Sequence, residues 1–130
     1  MINPIQFSSS CIKTLTAVEA DINRSNQHEF QGVAPLRNIF GQERQSLPAS
    51  FSIRGSDDIF HSNLTWYDAR KANPNRSAEY RLYFESNNVM TVAKAGDTIV
   101  IGIDQSGGIH CELIQQGNPA YIQSESWTVQ

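Results

Sequence analysis

The chain has few of the features that mark membrane, secreted or metal-bound proteins. No apolar run approaches the roughly 20 residues that span a bilayer. Residues 1–10 have neither a basic start nor an apolar centre, so no signal peptide is expected and the expected location is the cytoplasm. Cysteine is scarce. Cys11 and Cys111 are the only two, far apart and in no C-x-x-C pair, so the sequence offers no zinc site. They read as buried free thiols, because free cysteine packs as a small hydrophobe. A disulfide would be out of place in the expected compartment. G-x-S-x-G, H-E-x-x-H and a phosphate-binding glycine loop are all missing. His61 and His110 lack partners at metal-ligand spacing and read as structural histidines.

At 130 residues the chain suits a single domain over residues 1–130, with one core. Its net charge of −3 argues against coating a polyanion indiscriminately. No repeat and no internal linker stand out.

The pattern of the chain is one of short strands and turns. Strands are expected at 11–18, 30–34, 49–54, 59–69, 78–84, 98–104 and 109–115. Residues 1–10 are expected as a flexible lead, 43–48 as a connector and 121–129 as a last strand or tail. Pro35 opens a short helix over 36–40 that ends at Gly41. Residues 89–94 suit a short helix or strand. Asn73-Pro74-Asn75 and Ser106-Gly107-Gly108 are turn signals. Many short strands with little helix predict a barrel or sandwich.

Residues 65–84 stand out from this background. They set Arg70, Lys71, Arg76 and Arg81 among Trp66, Tyr67, Tyr80, Tyr83 and Phe84. Over residues 68–81 four basic side chains face two acidic ones, a local +2. Arginine presents a planar fork that fits a phosphate or a guanine edge. Asparagine can pair with adenine and aspartate can accept from cytosine. A two-stranded ribbon of this kind suits the major groove of duplex DNA. A solvated charged hairpin with aromatic packing at its base fits the same residues. Asp68, Arg70 and Asn73 are the candidates for reading bases. Lys71, Arg76 and Arg81 are candidates for bases or phosphates, with Tyr67 and Asn75 beside them in the arm. Trp66 and Tyr67 alternate on a strand, so Trp66 is expected inside and Tyr67 outside. Trp127 is expected to pack. A second polar run holds Asp21, Asn23, Arg24, Ser25, Asn26, Gln27 and His28, suited to polar readout or to a plain solvated loop.

The stretch over 64–84 resembles the N-terminal effector-binding domain of EcoRII-type (type IIE) restriction endonucleases. The likeness continues through Gly96-Asp97 and residues 98–103. Over residues 1–60 it rests on the order of elements and on His28, which precedes Pro35 by seven residues as in the family. The resemblance implies a mainly β, DNA-binding pseudobarrel of mixed parallel and antiparallel strands with one or two short helices. It implies two arms, at 21–28 and 67–81, gripping the major groove of CC(A/T)GG. It also implies a prokaryotic protein that reads DNA as a monomer without metal. A separate nuclease domain, absent from this chain, would use Mg²⁺ and be stimulated by the bound site.

Two other functions are expected to compete with that one. A free-standing metal-dependent nuclease would need paired carboxylates followed by lysine. Asp68 and Glu79-Tyr80-Arg81 imitate this loosely, with an arginine that stays protonated where lysine is required. A barrel binding single-stranded RNA or a protein is the third reading.

Overall fold

The computed structural model describes residues 5–20, 28–70 and 79–130. Strand makes up 44% of it and helix 14%, so the sheet carries the fold. The strands are β1 (Phe7–Thr14), β2 (Glu29–Phe30), β3 (Gln45–Ile53), β4 (Ile59–Asp68), β5 (Tyr80–Phe84), β6 (Thr98–Asp104), β7 (Ile109–Ile114) and β8 (Thr128–Val129). They form one open, curled sheet in the order β2-β5-β4-β3-β7-β6-β1-β8. β3 and β7 run parallel, and the other neighbours are antiparallel. This is the mainly β, mixed-strand architecture that the resemblance implies.

Alternation decides what the curl encloses. Leu64 and Trp66 on β4, Leu82 and Phe84 on β5, Ile99 and Ile101 on β6, and Leu113 on β7 are all fully buried. Their neighbours on β4 and β5 are more exposed, whereas Val100 on β6 and Ile114 on β7 pack with Ile12 in a second buried cluster on the other face. The two sheet edges approach each other without pairing. The Trp127 indole N–H, just before β8, donates to the Gln31 carbonyl just after β2 at 2.8 Å. Its ring also meets Phe30 edge-on at 6.0 Å. Trp127 therefore packs, as expected, and bridges the seam.

A buried ion pair reinforces the seam. Lys13 Nζ lies 2.7 Å from Glu19 Oε2, with side chains 6% and 0% exposed. Glu19 also accepts from the Gln31 amide at 2.6 Å and the Thr16 amide at 2.9 Å.

The helices are single turns. α1 (Ala17–Ala20) replaces the end of the strand expected over 11–18. Thr16 Oγ1 accepts from the Glu19 amide at 3.3 Å while Glu19 returns to the Thr16 amide, which is a capping box. A 3-10 turn (Ala34–Leu36) leads into α2 (Arg37–Phe40), and Gly41 ends it at φ 81°. That turn cuts the strand expected over 30–34 down to β2. α3 (Asn88–Val92) is capped by Asn87 Oδ1, which accepts from the Val89 and Met90 amides.

Three further expectations are corrected. Residues 7–10 are strand, although polar, because they pair with β6 where Gly102 lets the chains approach closely. Residues 45–48 belong to β3 and are not a connector. Pro48 is tolerated there because the parallel pairing with β7 begins only at Ala49, so its missing N–H faces no partner strand. Of the residues 121–129, only Thr128–Val129 form strand. Cys11 and Cys111 are free and buried, as expected. Among the described residues, no helix is long and apolar enough to cross a membrane.

Candidate nucleic-acid interface

The end of the β4–β5 hairpin is held shut by Asp68. Its Oδ1 accepts from the amides of Arg70 and Glu79, each at 2.9 Å, and the Ala69 amide donates to the Glu79 carbonyl. The residue-pair ladder runs Asp68↔Tyr80, Tyr67↔Arg81, Trp66↔Leu82 and Thr65↔Tyr83. Alternation then sorts the side chains. Trp66 and Leu82 point into the core, and Tyr67, Arg81 and Tyr83 share the outer face. The inward Trp66 is fully buried, as expected.

Trp66 fixes this end of the barrel. Its ring stacks on Phe40 at 5.2 Å and on Tyr80 at 4.9 Å. Its indole N–H donates to the Gly41 carbonyl at 3.0 Å. The aromatic column carries arginines on both sides of the ladder. The Arg37 guanidinium lies 5.6 Å from the Tyr80 ring centre, and that of Arg44 lies 5.4 Å from the Tyr67 ring centre. Contacts of this geometry favour an arginine over a lysine.

Arg70 and Arg81 share a carboxylate. Glu79 Oε1 is 3.4 Å from Arg70, and Glu79 Oε2 is 3.2 Å from Arg81. Glu29, from β2, reaches Arg81 at 3.9 Å. The hydrogen bond to Glu79 and the charge of Glu29 push the Arg81 pKa up from an already high value, so this group stays cationic.

Charge is distributed unevenly. Lys13 and Arg54 are paired with the buried acids Glu19 and Glu112. Arg37, Arg44, Arg70 and Arg81 all cluster around the hairpin end. Beside Arg81 a cleft of about 570 Å³ opens, walled by residues 29–34 and by Glu79 and Tyr80. It exists because β2 pairs with β5 only at Leu82 and Tyr83, leaving the Tyr80–Arg81 edge without a second strand.

His28 sits at the other end of β5. Its carbonyl accepts from the Phe84 amide at 2.7 Å. Its ring stacks on Phe84 at 5.4 Å and on Tyr83 at 6.1 Å, with Nδ1 3.3 Å from Ser86 Oγ. His28 and the Ala69–Glu79 pair thus lie at opposite ends of β5. Tyr80 and Phe84, four residues apart at ~3.4 Å each, are separated by about 14 Å.

Of the candidate residues, His28, Tyr67, Asp68, Arg70 and Arg81 lie on this face or at its two ends. Asp21, Asn23, Arg24, Ser25, Asn26, Gln27, Lys71, Asn73, Asn75 and Arg76 lie outside the described residues. Sequence reasoning did not place Arg37, Arg44, Tyr83 or Glu29 here. The period of two would have paired Tyr83 with Arg81. The positions of Arg37 and Arg44 depend on tertiary packing and had no local signal. The carboxylates proposed for a metal are otherwise engaged. Asp68 Oδ1 holds two amides, and Glu79 faces two guanidinium groups.

Away from this end, His110 is the buried structural histidine that was expected. Its Nε2 lies 2.7 Å from Ser52 Oγ and its Nδ1 lies 3.9 Å from Asp104. His61 is exposed, with Nδ1 3.3 Å from Ser50 Oγ. No protein-family model matches the chain, and no curated protein matches it.

Proposed function

We propose that the chain is a sequence-specific double-stranded DNA-binding domain with no catalytic centre of its own. The observation that carries this reading is the gathering of Arg37, Arg44, Arg70 and Arg81 around the aromatic end of the β4–β5 hairpin, on a protein whose net charge is negative. These guanidinium groups stand among the carboxylates of Glu29, Asp68 and Glu79, so they offer a polyanion directed donors rather than a uniformly basic surface.

The arginine fork of Arg81 suits the O6 and N7 atoms of guanine. Tyr67 and Tyr83, on the same face, suit sugar and phosphate contacts. Two arms of different sequence would read the two halves of a site differently, and a monomer would suffice.

The resemblance over residues 64–84 gives the target, CC(A/T)GG. It also gives the setting, the effector module of a prokaryotic type IIE restriction endonuclease in the cytoplasm. The partner within that enzyme would be a separate nuclease domain, and Mg²⁺ would belong to that domain.

The test is Arg81→Ala. Loss of a bidentate base contact should cost about 1–3 kcal/mol on the target duplex and far less on a scrambled one. An unchanged ratio between the two duplexes would remove Arg81 from base reading.

A further inference from the structure

Arg81 is not free to roam, although its side chain is 43% exposed. Two carboxylates hold its fork, one just before β5 and one from β2. Glu79 takes one terminal nitrogen at 3.2 Å, and Glu29 faces the other at 3.9 Å. Glu29 is itself fixed. Its side chain is only 16% exposed, and its Oε2 lies 3.5 Å from the Tyr67 hydroxyl. Tyr67 stands directly opposite Arg81 in the β4–β5 register. The three side chains therefore close a triangle across β2, β5 and β4.

Such an arrangement contributes little to stability, because exposed ion pairs are weak. Its effect falls on what Arg81 can do. A phosphate needs a positive charge in roughly the right place, and a base edge needs a fork held at the right angle. Two carboxylates beside Arg81 weaken its pull on any phosphate. The same two carboxylates narrow the angles that the fork samples before binding, which reduces the ordering cost of a geometric contact.

We infer that Glu29 is a positioning residue for Arg81, and that it makes this face selective by suppressing phosphate binding and aiming the fork. The inference rests on the DNA-binding reading above. Glu29 belongs to β2, outside the hairpin that carries the arginines. This strand is the sheet edge that meets Trp127 across the seam, so the selectivity of the hairpin depends on that edge staying in place.

Glu29→Gln removes the charge and keeps the shape. Binding of the folded chain would be measured on a duplex carrying CC(A/T)GG and on a scrambled duplex, at two salt concentrations. The scrambled duplex should bind about threefold tighter with a steeper salt slope, and the target should weaken, so that their ratio falls about tenfold. In parallel, the Arg81 Nε–Hε signal of the free protein would be followed by NMR. It should be distinct in the wild type and shifted and averaged in the variant.

Equal strengthening on both duplexes, or an unchanged ratio, would overturn the positioning role. So would an Arg81 signal that does not respond to the substitution. A wild type that binds both duplexes alike would overturn the DNA-target reading and the selectivity role with it. A selective wild type with an equally selective variant would overturn the role of Glu29 alone.

Discussion

Lys13→Met is the sharpest perturbation of the fold. The Lys13–Glu19 contact is 2.7 Å long, and neither side chain is more than 6% exposed. On the surface such a pair would contribute about 0–1 kcal/mol. Here the change leaves the Glu19 carboxylate buried against the Thr16 and Gln31 amides, with its charge uncompensated. Removing one partner of a buried pair costs about 3–5 kcal/mol. Total stability for a domain is about 5–15 kcal/mol, so the variant should lose about a fifth of it at the least. Glu19→Gln should cost a comparable amount, because the Gln31 amide and Lys13 both lose their anionic acceptor. The double variant Lys13→Met/Glu19→Gln buries no charge at this place and should cost less than the sum of the two. The assay is urea unfolding followed by the fluorescence of Trp66 and Trp127, one in the core and one on the seam. A loss below about 1 kcal/mol for Lys13→Met, or simple additivity in the double variant, would refute the clasp.

Three further outcomes follow from buried groups and one close approach. Burial pushes the His110 pKa down, against the opposing pull of the Glu112 and Asp104 carboxylates. The unfolded chain, with an ordinary histidine near 6.5, then binds more protons than the folded one just below that pH. Stability should fall as pH drops through about 6.5 and level off below the folded pKa, and His110→Gln should flatten that stretch in pH-dependent melts. Gly102→Ala would set a Cβ 2.1 Å from the Ser9 carbonyl oxygen, so β1 must move off β6. It should cost about 3 kcal/mol by urea unfolding, at the upper end for overpacking. Cys11 and Cys111 are buried, and burial raises both thiol pKa values. Ellman's reagent at pH 8 should therefore find neither in the native protein and both after denaturation; rapid native reaction would contradict their burial.

What could be read from the sequence was whatever local pattern decides. The apolar run 98–104 became β6 with the same bounds, because β-branched residues flanked by Gly96 and by the Ser106–Gly108 turn leave little choice. The β4–β5 hairpin and the inward Trp66 followed from alternation. The helix after Pro35 followed from its end signals. Tertiary contacts decided the remainder. Residues 15–18 look like strand, but the Thr16–Glu19 capping box and the bonds of Glu19 to Lys13 and Gln31 turn them. Pro48 looks like a breaker until one sees that its strand has a free edge there. At the site, the sequence pointed to Arg70, Arg81, Tyr67 and Asp68. It could not indicate that Asp68 holds the hairpin end together through two amides, or that Arg37 and Arg44 fold back onto Tyr80 and Tyr67.

Specific reading of duplex DNA is tested directly by titration. The wild-type chain, without metal, is titrated into a short duplex carrying CC(A/T)GG and into a scrambled duplex of equal composition, at moderate and raised salt. Tight binding to the first is expected, with weak binding to the second that raised salt abolishes. Equal affinity for both duplexes at both salt concentrations, or no affinity for either, would contradict it.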